Sequence, residues 1–240
     1  MDSPLFRCKK FHVNQSGAAH PIGTDSILIG AWADLTDVRN VLDIGTGTGI
    51  IALMMAQRLS QYQVDYKVDA VEIDTQSAQC AKGNFESSIW HKNLTINAVS
   101  IQEFTKNRPL GCYDLIISNP PFFNNSLLSP NLERQQARST VTLNFEDLLN
   151  VVLALLSPKG RFCVILPTVE GRQLYEMAAC MGLYYTAITA VTGKEGKPTE
   201  RLMIQLERNP YFHKKDRLVI YGLDGKHTND YQDLTKDFYL

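Results

Sequence analysis

The sequence predicts an α/β protein built around a mostly parallel sheet. Apolar runs rich in β-branched residues, at 41–44, 68–73, 113–118 and 161–166, alternate with segments of helical character. Such alternation indicates βαβ units, in which helices connect parallel strands. With 240 residues and 44% hydrophobic composition, the chain can bury a substantial core. We therefore expect a single domain that spans residues 1–240.

The first half of the chain supplies three of the expected strands. The run at 41–44 is followed by a helix at about 49–59, and the run at 68–73 by a helix at about 75–87. A weaker apolar run at 94–98 provides the third strand. Right-handed crossovers would place all three strands in one sheet.

The segment 144–156 contains the clearest helix. Its apolar residues recur at the i, i+3 and i+4 spacing of one helix face. Asn144 is a favourable N-cap, because its side-chain oxygen can accept a hydrogen bond from a free amide of the first turn. The residues Pro-Lys-Gly at 158–160 are then expected to break the helix and lead into the strand at 161–166.

The end of the sheet is predicted to be antiparallel. After a helix near 170–181, two runs at 184–191 and 201–206 are joined by a short polar turn, which is typical of a hairpin. We therefore expect seven strands, mostly parallel, with helices on both faces and an antiparallel hairpin near the C-terminal end. Residues 1–35 and 209–240 flank this sheet as extensions.

Composition excludes several classes of protein. No apolar stretch reaches the ~18 residues of a membrane span, and the five scattered cysteines contain no Cys-x-x-Cys pair, so neither a membrane segment nor a metal site is expected. We expect a cytoplasmic protein. A formal net charge of −1 lacks the positive excess of a dedicated nucleic-acid-binding domain, so RNA binding would depend on local basic patches. The candidate patches are Arg7, Lys9 and Lys10; Arg134 and Arg138; and Arg208, Lys214, Lys215 and Arg217.

A glycine-rich turn follows the first predicted strand. It contains Gly45, Thr46, Gly47 and Gly49 and leads into a helix. Glycines let backbone amides approach a ligand closely, and a helix N-terminus favours negative charge. Alone, the pattern fits a dinucleotide site equally well. The dinucleotide fingerprint, however, places a glycine one residue later, where Ile50 stands.

Two carboxylates lie near this turn. Asp43 precedes the first glycine by two residues, and Glu72 lies near the end of the next strand. Open α/β sheets bind ligands at the carboxyl ends of their strands, where a carboxylate can accept hydrogen bonds from both hydroxyls of a ribose. Asp74 is a weaker candidate for this role, and it can instead cap the following helix.

The predicted strand at 113–118 ends in Asn119, Pro120, Pro121 and Phe122. Two successive prolines stiffen the backbone and leave the Pro120 carbonyl as an acceptor without a competing local donor. The Asn119 side-chain oxygen is a second acceptor. Two such acceptors can hold a planar amino group, and they bind it more strongly as its nitrogen becomes tetrahedral. Phe122 would either stack on a planar base or lie in the core.

Together these motifs resemble those of class I S-adenosylmethionine-dependent methyltransferases, and the flanking segments narrow the resemblance to the bacterial tRNA1(Val) adenine-N6 methyltransferase family. The likeness runs in order along nearly the whole chain. It is carried by the segments 6–11, 21–32, 42–49, 70–74, 119–123 and 137–138.

This resemblance implies a Rossmann-like fold with S-adenosyl-L-methionine as cofactor. Asp43 and the glycines would lie near its methionyl end, and Glu72 would bind its ribose. Many members carry an acid that receives the adenine amino group. In this chain the corresponding region contains Ser100 and Ile101. Ser100 would be a weaker hydrogen-bond partner of the adenine amino group, and Ile101 would pack on the adenine ring.

The resemblance also implies a substrate, tRNA. Methyl transfer would occur to N6 of an adenosine, with adenosine 37 in the anticodon loop of valine tRNA as the expected target. Thr24 and Asp25 would lie near the methionyl end of the cofactor or help to close the site. The long polar segment 123–142 is expected to order over the target nucleotide, with Arg134 or Arg138 on phosphate.

Other functions stay open on the sequence alone. The Asn-Pro-Pro-Phe motif also resembles motifs that present guanine N2 of ribosomal RNA or a protein glutamine, although the glutamine enzymes usually have tyrosine where Phe122 stands. A different class is a cofactor-binding RNA module without catalysis. Intact Asp43, Glu72 and Asn119 argue against it. An oxidoreductase fits least, because neither the glycine spacing nor Asn-Pro-Pro-Phe serves hydride transfer.

Overall fold

The structure is a computed structural model that describes residues 5–62, 65–121, 144–209 and 213–239. The helices are α1 (Thr24–Trp32), α2 (Ile50–Ser60), α3 (Thr75–Glu86), α4 (Ile101–Lys106), α5 (Phe145–Leu155), α6 (Thr168–Cys180) and α7 (Asn229–Thr235). The strands are β1 (Leu5–Arg7), β2 (His12–Asn14), β3 (Asn40–Ile44), β4 (Lys67–Val71), β5 (Leu94–Asn97), β6 (Tyr113–Ser118), β7 (Leu156–Pro167), β8 (Tyr184–Lys194), β9 (Arg201–Glu207) and β10 (Lys214–Tyr221).

The main sheet of the described residues has eight strands in the order β10-β8-β9-β7-β6-β3-β4-β5. From β5 to β7 neighbouring strands are parallel, and β9 is antiparallel to both β7 and β8. The predicted α/β class and the C-terminal antiparallel hairpin are confirmed.

The expected count of seven strands is one too low. The additional strand is β10, which pairs in parallel with β8 at the edge of the sheet. Its first four residues, Lys-Lys-Asp-Arg, are exposed, so the strand lacks the continuous apolar run by which buried strands are recognised. The extension 209–240 therefore contributes to the sheet, and the extension 1–35 contributes the β1–β2 hairpin.

The expected break at 158–160 lies inside β7, which begins directly after α5. The pairing of β6 with β7 shifts register between Tyr113 and Leu115. A Cβ atom at Gly160 would lie 2.8 Å from the Tyr113 carbonyl oxygen. Glycine and proline therefore mark an irregularity within the strand, where the backbones approach closely, and they do not end it.

Helices cover both faces of the sheet. α1, α2 and α3 pack on one face together with α7 and the β1–β2 hairpin, in a core that includes Ile27, Leu53 and Phe85. α4, α5 and α6 pack on the other face, around residues such as Leu149 and Leu174. Across the ranges described, no helix has the length and apolar character needed to cross a membrane.

The carboxyl ends of β3, β4 and β6 meet at one edge of the sheet, which we call the carboxyl edge. Ile44 pairs in register with Val71 of β4 and with Ser118 of β6. The Ser118 hydroxyl also donates a hydrogen bond to the Ile44 carbonyl at 2.8 Å. The glycine loop, the segment after β4 and the Asn-Pro-Pro motif therefore begin side by side.

Candidate active site

The glycine loop is fixed to the end of β4. The backbone amides of Gly45 and Thr46 both donate to the Val71 carbonyl, at 2.9 and 3.1 Å. Gly45, Gly47 and Gly49 have φ angles of +70°, +56° and +84°, a region that side chains disfavour. At Gly45 and Gly47 an added Cβ would meet no described atom within 4 Å. The loop therefore borders open space that a ligand can occupy.

Glu72 lies against this loop and is half-buried. Its Oε2 accepts a hydrogen bond from the Gly47 amide, and its Oε1 accepts one from the Asp74 amide, both at 2.9 Å. An ionised carboxylate has about four acceptor positions, so each oxygen retains capacity for a ligand hydroxyl. The Asp74 side chain accepts a bond from the Ser77 amide at 2.8 Å as the N-cap of α3. Of the two, Glu72 is the carboxylate that contacts the glycine loop.

Asp43 lies beneath the loop and is completely buried. Its Oδ2 accepts hydrogen bonds from the Thr46 hydroxyl at 2.6 Å and from the Ala52 amide at 3.1 Å. Its Oδ1 has no partner among the described residues. Burial raises the pKa of Asp43 to about 7, against the opposing effect of these two hydrogen bonds and with a smaller contribution from the charge of Glu72. Asp43 therefore joins the loop to the first turn of α2.

Replacing Asp43 with asparagine is expected to remove a pH dependence of stability. The folded protein keeps a proton on Asp43 up to pH about 7, whereas an unfolded chain releases it near pH ~3.9. The contribution of this group to the free energy of unfolding therefore falls as pH rises between these values. Thermal unfolding should show wild type losing stability relative to Asp43→Asn as pH rises from ~4 to ~7.

Asp233 is exposed, so Asp233→Asn is the matched control for this prediction. The difference in stability between this variant and wild type should be the same at the low and the high end of that pH range. An Asp43→Asn difference that is equally independent of pH would show that Asp43 ionises normally in the folded protein.

Asn119 follows β6 at the carboxyl edge. Its Nδ2 donates a hydrogen bond to the Ser26 hydroxyl oxygen of α1 at 3.0 Å, which leaves its Oδ1 as the acceptor. Pro120 is half-buried and Pro121 is exposed. Because β6 pairs with β3, the motif begins next to the glycine loop. Phe122 and the segment 123–142, with Arg134 and Arg138, lie outside the described residues.

The remaining predicted cofactor residues have structural roles in addition to any ligand contact. The Ser100 hydroxyl caps α4 by accepting the Glu103 amide at 3.2 Å, and Ile101 is buried in the core. Asp25 Oδ2 pairs with Arg201 Nε at 2.9 Å, and Thr24 is exposed in the first turn of α1. Contacts of these four side chains with a cofactor stay predictions.

The structure separates the described basic patches. At the N-terminus, Arg7 and Lys10 are exposed, and Lys9 Nζ donates to the Lys236 carbonyl at 2.6 Å. In the C-terminal patch, Arg208 donates to two backbone carbonyls at the end of α5. Lys214 pairs with Ala187 near the start of β8, and thus lies toward the edge of the sheet opposite the carboxyl edge. That patch does not converge with the Asn-Pro-Pro motif.

Two residues near the site were not identified from the sequence. Besides Ser26, the buried Asn84 of α3 connects the β1–β2 hairpin to the glycine loop. Its Nδ2 donates to the carbonyls of Asn14 and Thr48 at 2.9 and 2.8 Å, and its Oδ1 accepts the Asn14 amide at 2.8 Å. In sequence Asn84 lies within a polar helical segment, which gives no sign of this role. Within the described residues, no three or more His, Cys, Asp or Glu side chains are grouped so that they could hold a metal ion.

Solved methyltransferase structures share the fold. A "predicted O-methyltransferase" from Agrobacterium tumefaciens superposes with a TM-score of 0.66 at 17% identity, covering 89% of this chain and 96% of that one. TrmK of M. capricolum, solved with S-adenosyl-homocysteine, gives 0.54 at 13% identity, covering 82% and 72% of the two chains. At such low identity these similarities establish the architecture alone.

Sequence relatives identify the family. Residues 22–166 match the methyltransferase small domain. The chain is 40% identical to the tRNA1(Val) (adenine(37)-N6)-methyltransferase of Aliivibrio salmonicida, over 98% of this chain and 97% of that protein. The proteins of the same name from Haemophilus influenzae (strain Rd) and Trichodesmium erythraeum are 37% and 40% identical, over 98% and 100% of this chain and 98% and 99% of theirs. The chain therefore belongs to the tRNA1(Val) (adenine(37)-N6)-methyltransferase family.

Proposed function

We propose that this protein transfers a methyl group from S-adenosyl-L-methionine to N6 of adenosine 37 in a valine tRNA, in the cytoplasm and with residues 1–240 as one catalytic domain. The observation that carries the proposal is the placement of Asn119 beside the glycine loop and Glu72 at the carboxyl edge. Full-length relatives that bear this activity in their names support the choice of substrate.

The residues around the glycine loop fit the cofactor. The open space at Gly45 and Gly47 admits the methionyl end close to the backbone, and the negative charge that Asp43 gains on ionisation favours its cationic groups. The two ribose hydroxyls can donate to the remaining acceptor positions of Glu72. We assign Thr46 and Gly49 to the shape of the loop. Ser100 and Ile101 are assigned to the adenine, and Thr24 and Asp25 to the methionyl side.

When bound, S-adenosylmethionine supplies an electrophilic methyl group on a sulfonium. The chain's own part is to hold the adenine amino group in line with that methyl. Asn119 Oδ1 and the Pro120 carbonyl each accept a hydrogen bond from one N–H group of the amine. Pro121 stiffens the turn that presents these two acceptors. Phe122 stacks on the base. These acceptors stabilise the nitrogen as its lone pair leaves conjugation with the ring, and the surplus proton passes to solvent after transfer.

We also propose that basic side chains of this chain bind phosphates of the tRNA. Arg7, Lys9 and Lys10 from the β1–β2 hairpin, and Arg134 and Arg138 from segment 123–142, are the assigned phosphate contacts. An anticodon-loop base is largely unpaired, so moving it into the pocket costs less than extruding a base from a duplex. Limited positive charge is therefore compatible with the activity.

Replacing Glu72 with glutamine is expected to weaken S-adenosylmethionine binding about 10- to 100-fold, since a hydrogen bond to a charged acceptor contributes about 1.5–3 kcal/mol. The amide nitrogen that replaces one oxygen would also face a donor, either the Gly47 or the Asp74 amide. Isothermal titration calorimetry would measure the change. Glu86→Gln, on the exposed face of α3, is the matched control, and equal affinities of the two variants would contradict the assignment.

The function is tested by transfer of labelled methyl to an unmodified valine tRNA transcript. The matched control is the same transcript with guanosine in place of adenosine 37, and nucleoside analysis identifies the product. We expect N6-methyladenosine in the first transcript and no label in the second. Label in ribosomal RNA or in a protein glutamine would instead assign a different acceptor. Cofactor binding without transfer to any of these would favour a non-catalytic module.

A further inference from the structure

Ser26 lies directly against Asn119, although its sequence context gives no sign of this. Asn119 Nδ2 donates to the Ser26 hydroxyl oxygen at 3.0 Å, and Ser26 is only 9% exposed. A side-chain amide can rotate by 180°, which exchanges the positions of its donor nitrogen and its acceptor oxygen. While Ser26 accepts the bond from Nδ2, Oδ1 is the side-chain atom of Asn119 that can accept a bond from a substrate.

We infer that Ser26 is a positioning residue that holds Asn119 with its side-chain oxygen toward the target amine. The inference rests on the proposed function, because it concerns how Asn119 presents its oxygen to that amine. In the rotated state Nδ2 would face the amine, so two donors would oppose each other and the bond that stabilises the transition state would be lost. Ser26 thus acts through Asn119 and does not itself touch the reacting atoms.

The surroundings of Ser26 fix its position. The neighbouring Asp25 pairs with Arg201 of β9 at 2.9 Å, which holds the first turn of α1 on the sheet. Farther along the helix, Arg58 donates to the Gly30 carbonyl at 2.8 Å. A Cβ at Gly30 would lie 2.7 Å from the sulfur of Met54, so α1 packs closely on α2. The serine is therefore carried on a helix held along its length, as precise positioning requires.

The test is a double-mutant cycle on methyl transfer to valine tRNA. Ser26→Ala is expected to lower kcat about tenfold, as for the loss of one hydrogen bond, with KM for tRNA and affinity for S-adenosylmethionine unchanged. In the Asn119→Ala background, the same substitution should change kcat by less than about twofold, because the residue through which it acts is absent. Equal losses in both backgrounds, or no loss in either, would overturn the inference.

Two further measurements separate this inference from folding and from the proposed function. Ser87→Ala, at an exposed serine after α3, is the matched control and should leave kcat unchanged. The side-chain amide resonances of Asn119, assigned by their absence in Asn119→Ala, should shift in Ser26→Ala and not in Ser87→Ala. If wild type fails to methylate tRNA, the proposed function is wrong, and these resonances still decide the role of Ser26.

Discussion

Replacing Asn119 with alanine is expected to lower kcat for tRNA methylation by about 10²- to 10³-fold, the usual cost of losing one preorganised group that stabilises the transition state. The adenine amino nitrogen is a poor nucleophile because its lone pair is delocalised into the ring. Asn119 Oδ1 is one of two acceptors assigned to support its change of geometry, so its loss acts mainly on the transition state. Affinity for S-adenosylmethionine should change by less than about twofold, since Glu72 and the glycine loop remain.

The measurement requires single-turnover rates together with a separate cofactor titration. Asn209→Ala is the matched control, because Asn209 is exposed and follows β9, whose end pairs with Arg161 at the edge of the sheet opposite the carboxyl edge. We expect wild-type rates for this control. A rate for Asn119→Ala within about threefold of wild type would remove Asn119 from the catalytic group and leave backbone acceptors to hold the amine.

The sequence predicts every strand of the main sheet except β10, and it indicates most clearly the strands in the middle of the sheet. β3, β4, β6 and the inner part of β7 are rich in apolar residues, because helices cover both of their faces. β1 and β2 are three residues each, too short to show a period. β10 begins with four exposed polar residues and pairs on one side only. β1, β2 and β10 therefore depend on tertiary pairing that their local sequence does not encode.

The residues of the candidate site also differ in whether the sequence indicates them. The glycine loop, Glu72 and Asn119 follow strand ends and belong to motifs in which the chemistry requires particular residue types. Ser26 and Asn84 are positioned by contacts between distant segments, since Ser26 meets Asn119 across 93 positions and Asn84 meets Asn14 across 70. A serine or an asparagine in a helical segment does not reveal which buried groups it will meet. The residues assigned to ligand contacts could therefore be proposed from the sequence, and the residues that contact them from distant segments could not.

Gly49→Ala is expected to destabilise the fold by about 2–5 kcal/mol. Gly49 has φ +84°, and a side chain in this left-handed region costs about 1–2 kcal/mol. Its Cβ would also lie 2.5 Å from Cε1 of Phe85 and 3.3 Å from the Ala81 Cβ in α3. Overpacking a core costs about 1–3 kcal/mol more. Denaturant unfolding, with the slope checked for constancy, would measure the loss.

Gly196→Ala separates the two contributions. Gly196 has nearly the same φ, +81°, but an added Cβ there would meet no described atom within 4 Å, so this variant carries the backbone strain without the collision. The difference between the two variants, about 1–3 kcal/mol, isolates the contact with Phe85. Adding Phe85→Leu to Gly49→Ala should recover part of that difference, because the shorter side chain makes room. Equal losses for Gly49→Ala and Gly196→Ala would mean that the Phe85 ring moves aside without cost, and that close packing of α3 does not restrict the residue at position 49.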